Sequence, residues 1–290
     1  MTPVLNEPLS QLSLLFVSAS MGFLALALML FSFQLAQLAR TEGDVKVTTK
    51  GEKVAFLILW VATALLGVGV VLRGIAAGRV PWANMYEFSI SGALLMLLVY
   101  LTALSIKDLK FIATFISGFA LVTLFAAVSL FYVEVKTLMP ALQSYWLVIH
   151  VVVAILATGF FSVAAGLHIA YLVKAGNVAQ KLMRVFPSLE QLERLAYRFN
   201  VVGFVLWSFT LIAGAIWAER AWHRYWGWDT KEVWTFIIWV LYAGYLHAMA
   251  TRGWNGKRAA WLGLIAFLSV IFNFTIVNLF FKGLHVYSGL

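Results

Sequence analysis

Apolar runs of 18 to 30 residues recur eight times along the chain, and most charged residues fall in the breaks between them. A helix needs roughly 17–25 mainly apolar residues to cross the hydrocarbon of a bilayer. The pattern therefore predicts spans at approximately 12–36, 54–77, 85–106, 111–133, 144–173, 199–219, 233–250 and 259–281. The fifth is long enough to tilt or to project beyond the bilayer. Backbone groups in hydrocarbon must pair internally, and runs rich in Leu, Ala and Val suit helices rather than barrel strands. The expected fold is all-α: a single polytopic membrane domain over 1–290, with about eight transmembrane helices and no separate soluble domain.

Composition agrees with this pattern. The 290 residues are 63% hydrophobic and 11% charged, against roughly 45–50% apolar in soluble domains. The net charge of +9 does not point to nucleic acid, because the basic residues sit in short connectors. Connectors 37–53, 107–110, 174–198 and 251–258 hold 14 of the 21 lysines and arginines. By the positive-inside tendency these connectors face the cytoplasm. Both termini and the loops 78–84, 134–143 and 220–232 then face outside. The first run lacks a small-residue cleavage pattern and reads as a retained span. With no cysteine in the chain, disulfides, thiolate ligands and thiol exchange by this chain are excluded.

The inner connector 174–198 contains PSLEQLERLAYRF. Ser188 and Gln191 have capping-box spacing, and Leu189, Leu192, Leu195 and Ala196 share a face, which predicts a short amphipathic interfacial helix.

Topology sorts the five histidines. His150 lies about two turns inside the external end of span five, roughly 10 Å down. His285 follows span eight in the external tail GLHVYSGL, and His223 sits in the 220–232 loop. His168 and His247 lie near the inner ends of spans five and seven. An ionisable group within a span is a functional candidate; a neutral histidine bonded to a neighbouring helix is the plain alternative. His150 and His285 approach one external face from different spans, an arrangement in which two imidazoles can ligate a haem iron from opposite sides. Around His247 stand Ala243, Gly244, Ala250 and Thr251, which make room for a flat ligand or equally permit close helix packing. His168 has no supporting pattern and reads as structural.

The loop WHRYWGWDTKEVW (222–234) places four tryptophans among five charged or imidazole side chains. An aromatic belt explains scattered Trp and Tyr at span ends, but not this density beside charge. Indole rings can stack on an apolar macrocycle, while Arg224 or Lys231 can meet its carboxylates. Asp229 and Glu232 have the spacing of an N-cap and its N3 partner, so span seven is expected to start there. In RVPWANMYEF (79–88), Pro81 and Asn84 predict a turn, and Glu87 enters the third span.

WHRYWGWDTKEVW resembles the tryptophan-rich WWD signature of the haem-handling proteins of cytochrome c biogenesis, nearest the CcsA/ResC type. PWANMYEF, SYWLVIH, PSLEQLERLAY, YLHAMATRGW and NLFFKGLHVYSGL agree, in the family's order, over most of 80–290. The resemblance implies that His150 and His285 are axial ligands of an external haem lying against the loop. It implies that His247 serves a haem within the membrane, whose second ligand comes from a CcsB/ResB partner. Trp222, Trp226, Trp228, Asp229 and Trp234 match fixed positions of the signature. His223 stands where the pattern has Gly, and Thr230 replaces a Pro.

The implied function is that of the haem-handling subunit of the System II cytochrome c synthase, a haem lyase acting in complex with CcsB/ResB. Haem b would be its transported substrate, moved outward and joined as thioethers to the CxxCH motif of apocytochrome c. Thiol-reducing proteins would be indirect partners. The bacterial plasma membrane is the expected location. A CcmC-like haem exporter or chaperone without synthase activity, and a non-haem small-molecule transporter, are the alternatives. No Ser–His–Asp set, phosphate loop or paired carboxylate is seen for direct acid–base work.

Overall fold

A computed structural model describes residues 6–40, 50–136, 144–251, 254–281 and 283. Among the described residues, eight helical segments are long and apolar enough to cross a membrane, matching the eight predicted runs. They are built on α1 (Glu7–Arg40), α2 (Lys50–Ala77), α3 (Met85–Ile106), α4 (Ala113–Leu130), α5 (Tyr145–Ala175), α7 (Leu189–Trp222), α8 (Thr230–Ala250) and α9 (Lys257–Phe272), the last span continuing to Phe280. One-turn α6 (Gln180–Met183) lies between α5 and α7, and a π turn, Asn273–Val277, leads from α9 into α10 (Asn278–Phe280). Among the described residues there is no strand.

The α1–α2 pair is a coiled-coil seam. Its buried positions on α1 are Ser10, Ser13, Val17, Ser20, Leu24, Ala27 and Phe31, alternating in steps of three and four. Ala55, Leu59, Ala62, Leu66, Gly69, Arg73 and Ala76 answer on α2 with the same rhythm. That repeat keeps one stripe of each helix facing the other along its length. Ser13 Oγ donates to the Gly69 carbonyl at 2.7 Å and Ser20 Oγ to that of Ala62 at 2.8 Å, so the seam buries its hydroxyls with acceptors.

Helix α5 is the hub, packed against α3, α7 and α9. Its approach to α3 requires Gly159, where a Cβ would stand 3.3 Å from the Met96 Cα. The Phe161 and Tyr242 rings stack between α5 and α8 at 3.6 Å. The indole nitrogens of Trp207 and Trp239 tie α7 to α8 through the Thr235 carbonyl and the Ser208 hydroxyl.

One expectation changes. The amphipathic stretch after Pro187 is not a separate interfacial helix but the opening of the 34-residue α7. The Ser188–Gln191 capping box does start it. No glycine or proline follows before Gly203, and the buried stripe Leu192, Ala196, Asn200, Gly203, Trp207 runs unbroken into the span. At 1.5 Å per residue such a helix is about 50 Å long and outreaches a bilayer core of about 30 Å.

Candidate functional site

The end of the bundle carrying the tryptophan loop is braced by a buried charge cluster. Arg73, 1% exposed on α2, and Glu87, 0% exposed on α3, meet at 3.0 Å. The same guanidinium donates to Ser10 Oγ at 3.0 Å and to the Val133 carbonyl at 2.8 Å. Glu87 also receives Arg79 at 2.6 Å and the Ala83 amide at 3.0 Å. Asn84 caps α3 by accepting from the Glu87 amide at 2.8 Å. A buried carboxylate holds its charge only with such a set of donors. Together these bonds fix loop 79–84, and with it Trp82, against the bundle. The lone arginine in GVGVVLRGIAA was a visible signal for this cluster, since a cation inside an apolar run demands a partner.

Beside it lies a cavity of about 570 Å³ bounded by α3, α4, α5, α7, α8 and the π turn after α9. This falls within the roughly 300–1,000 Å³ of small-molecule sites. Its walls are mainly apolar, and His150 faces it from α5. His150 Nδ1 lies 2.8 Å from the Thr210 carbonyl oxygen on α7. A carbonyl only accepts, so Nδ1 carries the proton and Nε2 the lone pair, the tautomer of an imidazole metal ligand. Gly214 makes the contact possible: a Cβ there would come within 2.8 Å of His150 Cε1. Trp217 lies nearly parallel to the imidazole, 6.4 Å between centroids and 19° between planes, and Trp222 packs edge-on against Trp217 at 4.7 Å.

Helix α7 ends after Trp222 because His223 turns left-handed at φ 55°. That conformation favours glycine. His223 is exposed and does not line the cavity. The chain then crosses the cavity mouth. Trp226 lines it, whereas Trp228, also left-handed at φ 58°, is 77% exposed. The two indoles meet edge-on at 5.9 Å. Trp234 packs against Phe272 at 4.4 Å, on the α9 side of α8. Arg224 folds across Gly227 and is not a cavity residue.

Asp229 and Glu232 form the expected capping box at the start of α8. Glu232 accepts from the Gly227 amide at 2.7 Å and the Asp229 amide at 3.1 Å, so one buried carboxylate holds the loop where it returns to α8. Lys231 reaches the Asn273 carbonyl at 2.8 Å and Asn278 Oδ1 at 2.9 Å. Asn273 opens the π turn, so Lys231 ties the start of α8 to the break in the last span. Three buried polar atoms in the cavity wall, Trp82 Nε1, Ser89 Oγ and Asn273 Oδ1, have no hydrogen-bond partner among the described residues. Sequence reading missed Thr210, Gly214, Ser89 and Asn273, because their roles arise from contacts between distant helices.

His285 lies outside the described residues. Gly283, two positions before it, sits directly against the Asp229 carboxylate, with no room for a Cβ. Gly283 thus stands at the tryptophan loop.

His247 occupies a different surface. It is exposed in the last turn of α8, roughly 25 Å along the helix axis from its start. Gly244 has no neighbour within 4 Å at its Cβ position, and Val240 and Phe236 continue the exposed stripe. Among the described residues, Gly244 thus mediates no close helix contact. His168, by contrast, is buried, with Nε2 3.0 Å from Asn200 Nδ2, the Tyr245 ring edge-on at 5.4 Å and Gly263 directly opposite.

Comparison with known proteins matches this architecture. The family model described as "Cytochrome C assembly protein" covers residues 82–285. The chain is 33% identical to the cytochrome c biogenesis protein CcsA of Guillardia theta, over 94% of this chain and 96% of that one. It is 31% identical to CcsA of Chlamydomonas reinhardtii, over 83% of this chain and 70% of the relative. Among solved structures it is similar to the cytochrome c haem lyase CcmF, with a TM-score of 0.63 and 22% identity. That likeness is one of fold, covering 94% of this chain but 47% of the lyase, so the chain spans about half its length. Motif order, eight-helix architecture and sequence relationship coincide: the chain belongs to the cytochrome c assembly protein family.

Proposed function

We propose that this chain carries haem b to the tryptophan-loop side of the membrane and presents it there for thioether attachment to the CxxCH motif of apocytochrome c. In this reading it is the haem-handling subunit of a System II synthase and works with a CcsB/ResB-type partner. The observation that carries the reading is His150, tautomerically set by Thr210 and facing an apolar cavity of about 570 Å³. His150 Nε2 takes one axial position on the iron, and His285 is the opposite ligand. The placement of Gly283 against Asp229 supports that assignment, since it stands two residues before His285 in the sequence.

The apolar walls accept the macrocycle, and Trp82 Nε1, Ser89 Oγ and Lys231 offer donors to its carboxylates. Exposed Trp228 and Tyr225 form a surface on which an apocytochrome segment can meet the haem edge. Attachment adds each thiol S–H across a vinyl group: a C–S bond forms, hydrogen goes to the other vinyl carbon, and no net electron transfer is needed. The chain's contribution is proximity and orientation, which remove a large entropic barrier. Outward-facing His247, beside bare Gly244, supplies an intramembrane iron ligand at the partner surface. In this reading the membrane is the bacterial plasma membrane, and the basic asymmetry of the connectors supports a loop end that faces outside.

Coexpression with a CcsB-type partner and a CxxCH reporter tests the proposal. Covalent haem on the reporter, lost in His150→Ala, supports it. Haem-bound protein with no covalent product would favour a chaperone, and purified protein without haem would favour a transporter.

A further inference from the structure

At the opposite end of the bundle a second cavity, of about 1130 Å³, opens between the inner ends of α1 and α2, the α3–α4 turn and the start of α7. Its apolar wall is aromatic: Phe31 packs on Phe56 at 4.8 Å, and Phe111 on Phe186 at 5.4 Å. Its rim is cationic, with five basic side chains against two acidic ones. Both acids are engaged. Glu52 takes Lys110 Nζ at 2.6 Å, and Asp108 accepts from the Lys110 amide at 3.3 Å. Arg194 pairs with Glu190 at 3.3 Å. Lys107, Arg184 and Arg198 make no ion pair among the described residues.

The turn bearing Arg184 is held in place. Lys174 Nζ donates to the carbonyls of Met183, Phe186 and Pro187 at 3.0, 2.7 and 2.8 Å, closing the chain between α5 and α7 around one ammonium. The cavity wall also holds Gln34 Nε2, a buried donor with no acceptor among the described residues. A concave surface with excess charge of one sign over low-dielectric walls focuses potential on its interior. Basic pockets between membrane helices suit anionic heads whose bodies are apolar.

We propose that this cavity binds an anionic amphiphile, its phosphate or carboxylate head on Arg184, Arg198 and Lys107 and its apolar body against the four phenylalanines. The site is separate from the His150 cavity and stands whether or not that cavity takes haem. A phospholipid of the adjoining leaflet and a dicarboxylate porphyrin share the required chemistry.

The purified full chain in mixed micelles tests this. Retained phosphatidylglycerol against phosphatidylcholine is counted by native mass spectrometry. Metal-free protoporphyrin, which cannot be ligated by histidine, is titrated by fluorescence. The double variant Arg184→Gln/Arg198→Gln is compared with a control pair at the same end, Lys257→Gln/Arg258→Gln; all four side chains are exposed. Loss of two head contacts weakens the bound amphiphile roughly tenfold or more, whereas the control pair leaves it unchanged. Weaker phosphatidylglycerol retention alone identifies a lipid, and weaker protoporphyrin binding alone a porphyrin carboxylate. Equal effects of the two pairs on both probes, or no effect of either, would overturn the proposal.

Discussion

His150 and Thr210 meet across the α5–α7 interface, the imidazole Nδ1 2.8 Å from the threonine carbonyl oxygen and above the bare Cα of Gly214. One backbone acceptor thus sets both the tautomer and the aim of the ring. Partners of this kind typically change metal affinity by about 10–100-fold when removed. Gly214→Leu drives a side chain into the imidazole and is expected to lower haem retention by about that factor, with membrane insertion intact. Haem per protein in purified material, read by absorbance, checks it. Unchanged occupancy would show that the contact does not position the ring.

The buried ion cluster makes a different prediction. Glu87→Gln leaves Arg73 and Arg79 without their anion in a site that is 0% exposed at Glu87. Breaking a buried pair from one side costs about 3–5 kcal/mol. A clear fall in the thermal midpoint of the detergent-solubilised protein is expected, before any effect on haem. A midpoint equal to the parent's would mean that the cluster does not brace this end.

Two tryptophans separate packing from presentation. Trp217 is 1% exposed, so Trp217→Ala should destabilise the protein by about 3–5 kcal/mol. Trp228 is 77% exposed; Trp228→Ala should leave the thermal midpoint nearly unchanged and reduce attachment to a CxxCH reporter. Loss of the folded protein in Trp228→Ala would return that residue to a structural role.

His247→Ala removes an exposed side chain and should not alter the stability of the isolated chain. In the proposed complex with a CcsB-type chain it is expected to lower a second haem population, with recovery on adding free imidazole. A spectrum identical to the parent's would leave His247 outside haem binding.

Much of the fold was legible because each span writes its own apolar run, and two helix starts write their own caps, Ser188–Gln191 and Asp229–Glu232. What failed was separation of the 187–199 helix from span six. An amphipathic stripe lying on a membrane and one entering it have the same period, and only the missing break before Gly203 distinguishes them. The site was legible in part. His150 is a candidate from its depth alone, yet its anchor at Thr210 lies 60 residues away and leaves no local trace. The signature treats its tryptophans as one set. The structure sorts them by neighbours: Trp226 in the cavity wall, Trp222 on Trp217, Trp234 on Phe272, and Trp228 at the surface.

Iron ligation decides the matter most directly. Optical and electron paramagnetic resonance spectra of haem bound to the parent, His150→Ala and His285→Ala proteins report the axial pair. The expected result is a low-spin bis-imidazole signature in the parent, its loss in each single variant, and its return with added imidazole. Low-spin spectra at full haem occupancy in both variants would contradict ligation by these two histidines.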